Sequence, residues 1–334
     1  MPSVLCRPRI LTLLIAAAGV SAVALAGAHA PAAAVEARAS VGVTPTNVAH
    51  SPWFDMRVLE TPVRFYAAPV HTHPAAVTAA AGILVDIDSN SILWEQNAHT
   101  RLPPASTTKI LTALVALENF DTSREVTVSP QAVALAWDES RMGLRAGQVL
   151  TIDELLTGML LVSGNDAANA LADGTVGAER FVAAMNAQVT ALGLRDSHFT
   201  TPVGLDEAAQ RTSAYDLAAI SAATVLAFPV FDTIVATRAT TVAADATHPA
   251  FALQSIDTLL SMYPAATGIK PGWTAAAGYC EVGMAVRDGH RLLSVLLNAP
   301  YAFSQSRRLL DWGFMQEGLP STLPAPTVAA GGHG

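Results

Sequence analysis

Cysteine is nearly absent from this chain: Cys6 and Cys280 are the only two in 334 residues. Cys6 lies ahead of the apolar run Ile10–Leu25, so it is not a lipid-attachment cysteine placed after one. With that leader removed, Cys280 stands alone and no internal disulfide can form. Its setting, Gly278-Tyr279-Cys280-Glu281-Val282, is that of a packing thiol and not of a nucleophile. Charge is sparse too, at 14% of residues, with a formal balance of −8. That excludes the basic surface on which nucleic-acid binding depends. Long apolar runs are equally scarce. Ile10–Leu25 falls short of the ~20 residues of a membrane span. Residues 217–231 are interrupted by Ser221, Thr224 and Pro229 and read as a core helix. No Gly-x-Ser-x-Gly occurs, which removes the nucleophile-elbow hydrolases with their Ser–His–Asp triad.

What is present is apolar, 51% of the chain, and enough for a large core. Arg7 and Arg9, the apolar run and then Ala28-His29-Ala30 read as a secretory signal peptide over residues 1–30, cut after Ala30, with an uncleaved anchor as the alternative. Residues 31–78, rich in Ala, Pro, Val and Thr, read as a linker or N-terminal arm. Trp53, Phe54, Phe65 and Tyr66 are unusual for a spacer, so part of this arm is expected to dock. His71 and His73 form a His-x-His pair with no Cys, Asp or Glu close behind, and no metal site is assigned.

The body spans residues 79–314. Ala81–Ile87 and Ile92–Glu95 are strands across the turn Asp88–Ser91. A helix follows Pro104-Ala105, a short strand covers Val126–Val128, and Ser129-Pro130 is expected to open another helix. Met142–Gly147 is a loop. Thr151-Ile152-Asp153-Glu154 has capping chemistry for a helix to Val162, with the next starting at Ala167. Phe181–Leu192, Ser213–Ala227 and Arg307–Phe314 read as helices; Ile234–Ala236, Gly278–Val286 and Leu292–Leu297 read as strands. Residues 315–334 look like a flexible tail. A sheet drawn from both ends of the body around a helical block implies an α/β (α+β) fold in two lobes.

Three short motifs carry chemistry. In Pro104-Ala105-Ser106-Thr107-Thr108-Lys109, the serine and lysine stand one turn apart on one face at a helix start. A serine hydroxyl needs a base, and a lysine serves as one if burial or a second cation lowers its pKa. Ser163-Gly164-Asn165 presents a hydroxyl and a carboxamide in a tight link, where Gly164 is expected to permit an unusual backbone. Gly268-Ile269-Lys270-Pro271-Gly272-Trp273-Thr274 offers a cation on a strand, beside a glycine that admits a ligand's backbone. Each alone is a common pattern, a cap or a solvated lysine. The ordered trio is that of active-site-serine penicillin-binding proteins and β-lactamases.

Over residues 79–314 the chain resembles the serine D-alanyl-D-alanine carboxypeptidases, the low-molecular-mass penicillin-binding proteins. The likeness extends through Ala81–Asp86, Arg101–Glu118, Met142–Gly147, Leu155–Ala172, Asn186–Leu205 and Gly268–Tyr279. It implies a β-lactamase/transpeptidase-like fold, an antiparallel sheet flanked by helices with a mostly helical second lobe. It further implies Ser106 as acylated nucleophile, Lys109 as its proton acceptor and Ser163 as proton relay. Asn165, Lys270, Gly272, Trp273 and Thr274 would bind substrate, with the N–H groups of Ser106 and Trp273 as oxyanion hole. The substrate implied is a peptidoglycan stem peptide ending in D-Ala-D-Ala, with β-lactams as inhibitors and no metal or cofactor. The expected location is extracytoplasmic: secreted, periplasmic or wall-associated, with no membrane-spanning segment beyond the signal peptide.

Pro271 departs from the family, which has Thr or Ser between that lysine and glycine. The lost hydroxyl removes a hydrogen bond to a charged group, ~1.5–3 kcal/mol. Thr274, on the face of Lys270 and Gly272, is expected to compensate. Alternative readings are a catalytically impaired peptidoglycan-binding module, a D-Ala endopeptidase, or a class A-like β-lactamase. The last lacks a convincing Glu-x-x-Leu-Asn signature between Asn165 and Lys270.

Overall fold

Runs that are apolar on both faces of a strand can be buried only inside a sheet covered on both sides, and this requirement organises the molecule. A computed structural model describes residues 48–50, 56–59 and 62–323. The leader with Cys6, along with Trp53 and Phe54, lies outside the described residues.

In chain order, β1 (Val48–His50), β2 (Arg57–Leu59) and β3 (Tyr66–Ala67) precede the hairpin of β4 (Ala81–Asp86) and β5 (Ser91–Gln96). A 3-10 turn over Ala105–Thr108 runs into α1 (Lys109–Asn119). β6 (Glu125–Thr127) and β7 (Val149–Thr151) pair as a ribbon. Five helices follow: α2 (Ile152–Leu161), α3 (Asn165–Thr175), α4 (Ala178–Ala191), α5 (Ala214–Ala227) and α6 (Pro229–Val235). A second ribbon, β8 (Ala239–Val242) with β9 (Phe251–Gln254), and the short α7 (Leu259–Met262) lead back to the sheet. There β10 (Ala266–Thr274), β11 (Gly278–Arg287) and β12 (His290–Leu297) are laid down before α8 (Ala302–Gln316) closes the body.

The main sheet has the order β10-β11-β12-β4-β5-β3 and is antiparallel except for β3, which pairs parallel with β5. Period-two alternation sends successive side chains to two cores. Ile83, Val85, Val282, Met284, Leu293 and Val295 join the helical lobe, where α5 packs. Leu84, Ala285, Leu292 and Leu296 face Leu309, Leu310 and Phe314 of α8. The β11–β12 turn has Asp288 at φ 47° and Gly289 at φ 85°, the left-handed pair of a tight hairpin. Among the described residues no single helix is long and apolar enough to cross a membrane, and α5 and α6 meet at 111°.

Several expectations need correction. Ser129-Pro130 opens a turn closed by Ser129 Oγ accepting from Ala132 N, and no helix follows. Ile234–Ala236 is not a strand but the end of α6. Pro229 begins that helix, and Phe231, Ile234 and Val235 fall on one buried face, so helical spacing overrides β-branching. The third helix starts at Asn165, two residues early, and α8 starts at Ala302. Within the stretch read as arm, Met56, Val58, Leu59, Val63 and Phe65 are buried against the body, while Tyr66 is exposed. Within the stretch read as tail, Thr322 N donates to Asp311 Oδ1 at 3.0 Å and Arg287 holds the Pro320 carbonyl at 2.9 Å, so residues 316–323 are docked. His71 and His73 are exposed.

The α2 cap is a complete capping box. Thr151 Oγ1 accepts from Glu154 N at 3.2 Å, and the Glu154 carboxylate accepts from Thr151 N at 2.8 Å. Thr151→Ala is therefore expected to lower stability by about 1 kcal/mol, read as a lower urea midpoint with unchanged slope.

Candidate active site

The site is assembled from three places where the backbone has little freedom. The first is the 3-10 turn. Ala105 adopts φ 50°, left-handed for a residue with a side chain. It is enclosed on one side by Gly204, where a Cβ would lie 1.9 Å from the Ala105 carbonyl oxygen. Gly272 closes the other side. A Cβ there would sit 2.7 Å from Ser106 N, so only glycine lets β10 approach the serine backbone. As the edge strand, β10 is also where a proline with no N–H can be accommodated, and Pro271 sits in it opposite Glu281.

Lys109, the first residue of α1, is fully buried. Its Nζ lies 2.9 Å from Ser106 Oγ, 2.7 Å from Asn165 Oδ1 and 2.9 Å from the Val203 carbonyl. Burial, and then the nearby Lys270 charge, holds this amine well below the usual lysine range, against Glu139 and Asp166. Lys109 and Lys270 are the only lysines in the chain, and both are fully buried in this region.

The α2–α3 link is the second place. The strained residue there is Ser163, at φ 59°, whereas Gly164 has an ordinary φ of −57°. Glycine is needed at 164 for space: a Cβ would be 2.9 Å from both Asp166 Oδ1 and Met142 N. The Ser163 hydroxyl is buried and makes no hydrogen bond. Asn165 opens α3, with its Nδ2 donating to Glu139 Oε2 at 2.6 Å. Beside it the Asp166 carboxylate accepts from the N–H groups of Met142, Gly143 and Leu144 at 2.7, 2.8 and 3.0 Å, which ties down the 142–147 loop.

β10 is the third. Lys270 is buried, with Nζ donating to the Pro271 carbonyl at 3.0 Å. Burial lowers its pKa to about 8 despite the nearby carboxyls of Asp257 and Glu281. Burial pushes Asp257 up to about 6, and Glu281, with neither oxygen hydrogen-bonded, well above the carboxylate range. Trp273 is 59% exposed and faces Tyr279 across the strands, ring centres 6.3 Å apart. Thr274 does not offer a free hydroxyl in place of the one Pro271 lacks. Its Oγ1 donates to Asp206 Oδ1 at 2.5 Å and accepts from Ala277 N. Cys280 is buried, its thiol pushed up to about 11 by burial, as a packing residue requires.

Of the residues singled out in the sequence, Ser106, Lys109 and Asn165 are thus joined by hydrogen bonds, and Gly272 lies against Ser106. Lys270 acts on Lys109 through its charge. Sequence reasoning missed Glu139, Val203, Gly204, Asp206, Asp257 and Glu281. Gly204 had a legible signal, in a loop of turn residues; an isolated glutamate such as Glu139 had none.

A family model described as D-alanyl-D-alanine carboxypeptidase matches residues 68–301. The chain is 38% identical over 244 residues to the D-alanyl-D-alanine carboxypeptidase DacB2 of Mycobacterium tuberculosis, covering 71% of this chain and 82% of that protein. It is 32% identical over 254 residues to DacF of Bacillus subtilis, covering 73% of this chain and 64% of that protein. Among solved structures, the Streptomyces K15 DD-transpeptidase superposes with a TM-score of 0.69 at 29% identity, covering 73% of this chain and all of that one. A putative penicillin-binding protein homolog from M. tuberculosis gives 0.67 at 34% identity, covering 78% and 97%.

Proposed function

The chain belongs to the D-alanyl-D-alanine carboxypeptidase family of serine peptidases, and from that we propose that it removes the terminal D-alanine of peptidoglycan stem peptides through an acyl-enzyme on Ser106. The observation that carries the reading is the buried Lys109 amine, 2.9 Å from Ser106 Oγ. Asn165 Oδ1 and the Val203 carbonyl can only accept, so they take two N–H groups of a neutral amine. Its lone pair is then left for the serine proton.

In the proposed reaction Ser106 Oγ attacks the penultimate D-alanine carbonyl as its proton passes to Lys109 Nζ. The oxyanion is held by the N–H groups of Ser106 and Trp273. As the C–N bond breaks, the proton reaches the departing amine by way of Ser163, whose unpartnered buried hydroxyl suits a relay. Water then hydrolyses the ester. Asn165 would hold the substrate amide, and Lys270 the terminal carboxylate. A β-lactam would acylate the same serine and leave slowly. This work is assigned to residues 79–314, extracytoplasmically, after removal of residues 1–30.

Incubating the protein with penicillin and following intact mass tests the reading. A persistent adduct on wild type, absent from Ser106→Ala, is expected; drug loss without an adduct would favour a lactamase instead. The pH profile of kcat/KM reports the free enzyme. It should fall in acid as Lys109 takes up its proton, and above about pH 8 as Lys270 loses its own. A third outcome concerns Pro271: Pro271→Thr restores a hydroxyl beside Lys270 and should raise peptide turnover about tenfold or more.

A further inference from the structure

We propose that Glu139 is a positioning residue for this acyl transfer, fixing which end of the Asn165 carboxamide faces Lys109 and bringing a negative charge to bear on that lysine. The inference rests on the acyl-transfer reading above for its purpose, though not for its test. A carboxamide has two ends of nearly the same shape, and only its partners decide which way it points. Lys109 presents N–H groups on one side at 2.7 Å, and the Glu139 carboxylate accepts on the other at 2.6 Å. Turning the amide over would set its NH2 against the lysine N–H groups and its oxygen against a carboxylate. Both contacts are then repulsive, and Lys109 loses one of the two carbonyl acceptors that leave its lone pair facing Ser106.

Glu139 is itself held at both oxygens, since Oε1 accepts from Ala136 N at 2.8 Å. Its loop is tied to the helix it serves by Asn165 N donating to the Ser140 carbonyl at 2.8 Å, and is closed on itself by Arg141 Nη2 donating to the Ala136 carbonyl at 2.5 Å. The carboxylate is therefore set by main-chain contacts and not by a chance rotamer. Three charged groups face Lys109: Lys270 from β10, Asp166 from α3 and Glu139 from this loop. Lys270 favours the free amine, and the two carboxylates favour the ammonium. Asp166 is already committed to the N–H groups of residues 142–144. Glu139 is the carboxylate in direct contact with Asn165.

The two-lysine sequence makes the test direct. Full-length protein grown on lysine carrying 13C at Cε gives two side-chain signals, with Lys270→Arg identifying which is Lys109. Each is titrated by NMR without substrate. Glu139→Gln removes the charge and leaves one acceptor oxygen for the two N–H groups of Ala136 and Asn165, so the Lys109 midpoint should move down by roughly half a pH unit or more. Glu139→Asp, which keeps the charge, should move it less. Glu139→Ala also frees the carboxamide, and its penicillin acylation at plateau pH should fall about tenfold. A Glu139→Gln midpoint equal to wild type overturns the proposal, whether or not penicillin acylates Ser106. A missing adduct on wild type overturns the acyl-transfer reading alone, because the titration needs no reaction.

Discussion

A single buried amine is the point from which the rest of this molecule can be understood. Lys109 has no water to solvate it, so each of its hydrogens must find an oxygen inside the protein. Its neighbours come from three separate parts of the chain: the 3-10 turn, the start of α3 and the 201–204 loop. None of the three could shift far without leaving a buried polar group unpaired, at a cost of about 1–3 kcal/mol each. The sheet and the helical lobe meet around this point, and the glycines at 204 and 272 are where the backbone of one part must touch another.

The same constraint explains why strain gathers here. Ala105 and Ser163 both lie in the left-handed region, one beside the serine and the other beside the carboxamide. Such conformations persist where the surroundings over-determine them. At Ala105 the neighbours are Gly204 and Gly272. Next to Ser163, Gly164 is hemmed in by Asp166 and Met142. The burial of Lys270, Asp257 and Glu281 in one small volume belongs to the same economy, in which three ionisable groups modify one another because water is excluded.

Much of this was legible in the sequence. The sheet strands announced themselves as apolar runs bounded by turns, and the α2 cap was spelled by Thr151 and Glu154. The three motifs placed Ser106, Lys109, Asn165 and Lys270 in order before their distances were known. What could not be read were consequences of packing. Ile234 and Val235 favour strands intrinsically, yet their spacing from Phe231 served a helix. Gly164 looked like the strained residue when Ser163 was, because nothing local reveals that Asp166 fills the space beside 164. Thr274 stands on the right face by alternation, but its hydroxyl is claimed by Asp206, distant in sequence. Glu139 is an ordinary loop glutamate until α3 is folded against it.

The confinement of lysine to two buried positions reaches beyond the site. Every other basic side chain in the chain is arginine or histidine. Arginine stays protonated far into alkali, so the folded exterior keeps its guanidinium charges while the interior amines titrate. No lysine side chain is available on the folded surface for amine-directed cross-linkers, dyes or coupling resins. A small reagent of that kind that does modify a lysine in the native protein will have reached Lys109 or Lys270, and its attachment would report on access to the interior.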